Sequence, residues 1–234
     1  MRPTTSKFLA AALFVTMLPA CDLAGAGEAA QVDQALGASV AVEAGALTAE
    51  QAEHLLRLRE EEKLARDVYL TFAERWEQPV FSNIARSEQR HMDAVARLLA
   101  AHGLVDPVTD DARGVFSAPA FQALYGELVA QGSATVGDAL AVGAAIEELD
   151  LADLDLALAT APPADVVRVF ENLSRGSRNH LRAFAGQLEA IGRPYAPTSL
   201  SAEEVEAIVS TPRERGGRAA GAGGGAAAGA CPQG

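Results

Sequence analysis

Glu88 and His91 stand three residues apart in the segment "SEQRHM", where apolar residues recur at three- and four-residue intervals. At about 100° per helical residue, Ile84, Glu88, His91, Val95 and Leu98 fall on one stripe, so a carboxylate and an imidazole point where a helix normally buries leucines. A buried carboxylate is costly unless it is paired with a cation or ligates a metal. The chemistry this pair offers is therefore a cation held by oxygen and nitrogen donors, or an ion pair to another helix.

Three further segments repeat the feature. In "RGSRNHLRAF", Phe170, Leu173, Ser177, His180 and Phe184 share a stripe, which turns His180 inward. In "EEEKLARDVY", the arc of Leu55, Leu58, Ala65, Val68, Tyr69 and Phe72 admits Glu62, takes Glu61 at its edge and leaves Glu60 outside. In "VGAAIEELDLADLDLAL", the arc set by Val142, Ile146, Leu149, Leu154 and Leu156 contains Glu147, Asp150 and Asp153 but leaves Glu148 and Asp155 outside. These groups suit metal binding through mixed carboxylate and imidazole ligands. The competing reading is a polar core network in which Arg66, Arg86 or Arg178 neutralises the acids, and the acidic runs read equally well as solvated helix faces. His54 and His102 lie near helix ends and read as terminal residues, not ligands. Trp76 and Phe81 read as packing residues, and Tyr69 as a core residue hydrogen-bonded through its hydroxyl.

Helices must carry these groups, because no stretch alternates apolar and polar residues between turns. Thr48 and Gln51 form a capping box that starts a first helix, which the Gln78-Pro79 pair ends. A second helix is expected from about Ser82 to Gly103. Ser117 and Pro119 open a short one that closes at Gly132 and Ser133, and a long third runs from about Ser133 to Ala161. Pro162 and Pro163 separate it from a fourth, Ala164 to about Ile191, and Ser201 with Glu204 caps a last short helix. The fold class is all-α: a four-helix bundle whose second and third long helices are joined by a crossover of about thirty residues containing a short helix.

The whole composition fits such a bundle, with 234 residues, 49% hydrophobic and only 5% aromatic. The formal net charge of −12 gives phosphate backbones nothing to bind, which excludes nucleic acid as a partner. Residues 1–20 place Arg2 and Lys7 before an apolar run, the layout of an export signal and too short to span a membrane comfortably. "LPAC" resembles the bacterial lipobox, which would make Cys21 a lipidated residue tethering the chain to the cell envelope on the periplasmic or cell-surface side; the alternative is simple cleavage near Ala20 and a secreted chain. Residues 21–46 read as a flexible tether, 47–197 as the bundle, 198–211 as a segment with the short helix, and 212–234 as a glycine- and alanine-rich disordered tail. With two cysteines, Cys21 and Cys231, a disulfide framework is excluded.

The combination resembles the ferritin-like, rubrerythrin-like di-iron carboxylate proteins, in which two helices each give a Glu and the other two a Glu-x-x-His. "EKLARDVY" is similar to their first-helix segment and maps a ligand onto Glu62, while "EQRH" matches the second-helix pair as Glu88 and His91. Glu147 takes the third-helix glutamate position, Asp150 resembles a second acidic position there, and His180 matches on the fourth helix. Ser177 stands where that helix's glutamate should be, which leaves open a mononuclear site or a two-metal site completed by water or Asp150. From the first-helix motif through "ENLSRGSRNHLRAF" the domain is also similar to a bacterial and archaeal family known as domain of unknown function 2202, assigned to the ferritin-like superfamily. The resemblance implies one or two iron ions, with manganese or zinc as substitutes, and ferroxidase or peroxidase chemistry fed by an external reductant, since rubredoxin-type cysteines are absent. It leaves open a non-enzymatic metal-binding lipoprotein, a structural lipoprotein with a polar core, and a homodimeric assembly.

Overall fold

The computed structural model describes residues 45–215, which form six helices and no strand: α1 (Ala49–Trp76), α2 (Pro79–Ala101), α3 (Pro119–Gln131), α4 (Val136–Ala159), α5 (Ala164–Ala190) and α6 (Ala202–Val209). The expected signal segment, Cys21 and the tether up to residue 44, and the tail from residue 216 with Cys231, lie outside the described residues. Among those described, no helix is long and apolar enough to cross a membrane.

Local chemistry sets most of the boundaries. Thr48 caps α1 through a capping box in which its hydroxyl accepts the Gln51 N–H and the Gln51 side chain accepts the Thr48 N–H, and the Gln51 amide also donates to the Thr160 carbonyl at the far end of α4. Ser201 and Glu204 form the second capping box, at α6. Helix α2 begins at Pro79, earlier than the expected Ser82, because proline fits the first helical position, whose N–H has no partner within the helix.

The long helices form two hairpins, α1 with α2 and α4 with α5, and the crossover carries α3 against α1 and α4. Apolar side chains make two clusters, one at each end of the bundle. One contains Tyr69, Phe72, Phe81, Ile84 and Phe184, the other Leu55, Leu99, Leu154, Val166 and Phe170. On each of the four long helices the chain passes from one cluster to the other across a polar layer, formed by Glu62, Glu88 and His91, Glu147, and Ser177 and His180.

Carboxylates outside the expected arcs are also buried. Glu60 is 6% exposed, and its Oε1 accepts the N–H groups of Ser117 and Ala118, capping α3, whose own first residues supply no side-chain cap. Fully buried Asp67 accepts Lys63, Arg66 and the Gly114 N–H, and Lys63 also donates to the Ala112 carbonyl. The outer face of α1, expected to be solvated, is thus the surface on which the crossover is fastened. Glu148 is fully buried as well: its Oε2 accepts three successive N–H groups, from Thr198, Ser199 and Leu200 at 2.8, 2.8 and 2.9 Å, and its Oε1 accepts the Tyr195 hydroxyl. Conversely Leu156, expected in the buried arc of α4, is 62% exposed, and Leu154 and Ala157 are the residues of that helix that enter the second cluster.

Removing the Glu148 carboxylate leaves three backbone donors without their acceptor. Glu148→Ala is expected to lower the unfolding free energy by about 3 kcal/mol in urea denaturation, and an unchanged midpoint would show that the 195–200 segment contributes nothing to the fold.

Candidate metal centre

Five side chains from four helices converge on the polar layer, and all are at least nine-tenths buried: Glu62, Glu88, His91, Glu147 and His180. His91 Nδ1 lies 2.8 Å from Glu88 Oε2 and 3.2 Å from Glu62 Oε2. His180 Nδ1 lies 2.8 Å from Glu88 Oε1 and 3.3 Å from Glu147 Oε2. Glu88 therefore belongs to two triads, Glu62–Glu88–His91 and Glu88–Glu147–His180, each of which brings one donor atom per residue within 4.8 Å of the others. The two imidazoles lie nearly parallel, with centroids 5.5 Å apart.

The donors satisfy one another only in part: His91 Nδ1 is hydrogen-bonded to Glu62 Oε2 and His180 Nδ1 to Glu147 Oε2, while two carboxylate oxygens are left over. Glu88 Oε1, though close to His180 Nδ1, has no aligned hydrogen bond, and Glu62 Oε1 has no partner either among the described residues. Orphaned buried carboxylate oxygens are rare and costly. Oxygen and nitrogen atoms close together but directed past one another are what two ligands of one cation look like, so the donor set fits a divalent metal in each triad.

The arginines that could have neutralised the layer are engaged elsewhere. Arg66 binds Asp67, Gln89 and Asp111, Arg86 binds Asn83, and Arg178 forks onto Glu214. Protons are then the remaining counter-charge. Burial pushes Glu62 up to about 7 and also raises Glu147. Against the cost of burial, Glu88 and Glu147 hold His180 up at about 10, His91 is raised by Glu62 and Glu88, and the two rings hold Glu88 far below the ordinary carboxylate range.

Neighbouring residues fix these side chains in place. The buried Tyr69 hydroxyl donates to Glu147 Oε1 at 2.6 Å, in the core position expected of it. A Cβ at Gly176 would stand 2.6 Å from His91 Nε2, so only glycine lets the α5 backbone lie against that ring. Gly176 carries no signal in helical periodicity and is the one residue of the site that the spacing of donors does not reveal. Asp150, one turn beyond Glu147, accepts the Ser177 hydroxyl at 2.5 Å, and burial together with the charges of Glu62, Glu147 and Glu88 raises it well above the ordinary range. Asp153 and Glu61 lie farther out, joined by Arg57 at 2.7 Å to each. His54 is not part of either triad, and His102 pairs with Asp165 at the ends of α2 and α5.

Comparison with known proteins places the chain among relatives. A family described as an uncharacterized protein domain (DUF2202) matches residues 51–212. The uncharacterized protein MJ0754 of Methanocaldococcus jannaschii is 50% identical over 170 residues, which span 73% of this chain and 92% of that protein. A crystal structure of hypothetical protein MJ0754 from Methanococcus jannaschii superposes with a TM-score of 0.71 at 49% identity, covering 72% of this chain and 96% of that one.

The pH dependence of the metal-free protein follows from these shifts. Glu62 has a folded pKa above its unfolded value, so its contribution is lost as pH rises through about 7. His180 is also raised, so its contribution is complete below its unfolded pKa and is lost as pH rises through about 10. Both effects have the same sign. The metal-free protein is expected to lose thermal stability steadily from about pH 5 to about pH 10, whereas metal binding, which displaces protons, should strengthen over the same range. Calorimetry across that range with and without metal tests this, and parallel curves would exclude proton displacement from the layer.

Proposed function

We propose that this chain, which belongs to the DUF2202 family, binds two divalent metal ions in a ferritin-like carboxylate–imidazole centre, with iron as the physiological metal. The observation that carries this reading is the shared position of Glu88, whose two oxygens each stand 2.8 Å from the Nδ1 of a different histidine. Glu88 faces both triads and would serve both ions, with Glu62 and His91 holding one and Glu147 and His180 the other.

Charge supports the count of two. Glu62, Glu88, Glu147 and Asp150 carry four negative charges when ionised and the imidazoles none, which two divalent cations would balance. Asp150 then supplies the carboxylate absent at Ser177, held toward the layer by the serine hydroxyl. Carboxylate and imidazole donors suit iron or manganese and admit zinc.

A pair of iron ions would supply one-electron chemistry with O2 or peroxide, the basis of a ferroxidase or peroxidase activity. The residues of the chain would orient the metal-holding groups: Tyr69 holds Glu147, Gly176 admits His91, and the apolar clusters close the layer off toward the two ends of the bundle. Electrons for turnover would come from an external reductant, because the two cysteines lie at positions 21 and 231, outside the bundle. Export and lipid attachment at Cys21 would place this activity at the cell envelope.

Elemental analysis after anaerobic Fe(II) loading tests the reading, with about two ions per chain expected. Glu88→Ala should remove both, while Glu62→Ala and Glu147→Ala should each retain one. Gly176→Ala, which alters no donor atom, is expected to weaken binding roughly 10- to 100-fold by displacing His91. Wild-type protein that takes up no metal would sink the proposal.

A further inference from the structure

A cleft of about 700 Å³ runs between α1 and α4, beneath α3 and beside residues 196–199, and reaches Glu62, Glu88 and Glu147. Its volume lies in the range of small-molecule sites, which are concave, mostly apolar and fitted with a few convergent polar groups. Metal ions alone would need only a narrow path lined by oxygen atoms. Here Leu64, Phe121, Leu124 and Leu128 line the side toward α1 and α3, and Val142 and Ile146 line the side toward α4.

The charges around the cleft select against anions. Seven carboxylates line it against the single basic residue Arg57, and that guanidinium is already engaged by Glu61 and Asp153. With Glu62, Glu88, Glu147 and Asp150 balanced by the proposed metal ions, Glu61, Glu127 and Asp153 still outnumber the paired Arg57, so an entering carboxylate, sulfonate or phosphate would meet net negative charge in a medium of low dielectric. The walls are also held in place from outside. Glu148 anchors Thr198, Ser199 and Leu200 along one edge, and Glu60 fixes the start of α3 along another, so the concavity belongs to the packed fold.

We propose that this cleft binds a neutral, predominantly apolar organic molecule and brings it beside the carboxylate–imidazole layer. The molecule is then the substrate or reductant of the centre, a role that rests on the metal reading above. The binding itself rests on the cleft alone.

A matched pair of fluorescent probes tests it on the full chain: neutral N-phenyl-1-naphthylamine, and 1-anilinonaphthalene-8-sulfonate, which has the same rings plus one negative charge. The neutral probe is expected to bind once per chain, at least roughly tenfold more tightly than the sulfonate. Ala145→Trp fills the cleft from α4 and should abolish neutral-probe binding while leaving the metal count unchanged. Leu156→Trp, at an exposed position on the cleft's rim, should weaken binding even if the first variant folds poorly. Cobalt(II), loaded in place of iron, should quench the bound probe. Equal affinity for the two probes, no binding of the neutral one, or indifference to both tryptophans would overturn the proposal, and unquenched emission would overturn the placement beside the centre. Probe binding blocked by tryptophan in a protein that takes up no metal would uphold the binding site and overturn the metal reading. Full metal loading without probe binding would do the reverse.

Discussion

The structure is organised around a layer of ionisable groups that the bundle must bury. Three carboxylates and two imidazoles cross the helix axes between two apolar clusters, and no arginine reaches them. Carboxylates at this spacing repel one another and drive apart the helices that carry them unless protons or metal ions intervene. The four helices therefore cannot rely on their central contacts at this level, and their positions are secured at either end and from outside. Aromatic packing of Tyr69, Phe81 and Phe184 closes one end, and leucines with Phe170 close the other. Lys63, Arg66 and Asp67 bind the crossover to the outside of α1, and Glu148 binds residues 198–200 to α4.

Adjacent residues on α1 divide this work. Glu60 caps a neighbouring helix, Glu61 pairs with Arg57 at the edge of the cleft, and Glu62 enters the polar layer. Successive residues on a helix differ by about 100° in direction, so three identical side chains face three different surroundings. The same step on α4 sends Glu147 into the layer and Glu148 toward the C-terminal segment. An acidic run in which each carboxylate has its own set of donors is a structural component, not a solvated face.

Helical periodicity made the inward groups legible in the sequence, because Glu62, Glu88, His91, Glu147 and His180 interrupt apolar stripes that the packing of a bundle makes regular. The capping boxes at Thr48 and Ser201 were legible for a similar reason, since both partners lie within one turn. Glu60 and Glu148 were not, because their partners lie about fifty residues away and belong to segments with no periodicity. An arc drawn from one apolar face also assumes that the opposite face meets water. That assumption fails on α1, where the crossover covers it, and on α4 at Leu156, where an apolar residue stays exposed at the cleft. Gly176 escaped because its role depends on an atom it lacks.

The two hairpins carry similar donor patterns and differ at one carboxylate. Glu62 on α1 and Glu88-x-x-His91 on α2 correspond to Glu147 on α4 and Ser177-x-x-His180 on α5. In the second hairpin α5 carries Ser177 where α2 carries Glu88, and the Ser177 hydroxyl donates to Asp150, one turn along α4 from Glu147. The residue equivalent to Asp150 on α1 is Ala65. Both line the cleft, so on its two sides the centre presents a carboxylate and a methyl group. Asp150 thereby adds a fourth carboxylate at the edge of the layer, where it lines the cleft. With only a methyl group at Ala65, the α1 wall of the cleft is apolar at the position where the α4 wall carries Asp150.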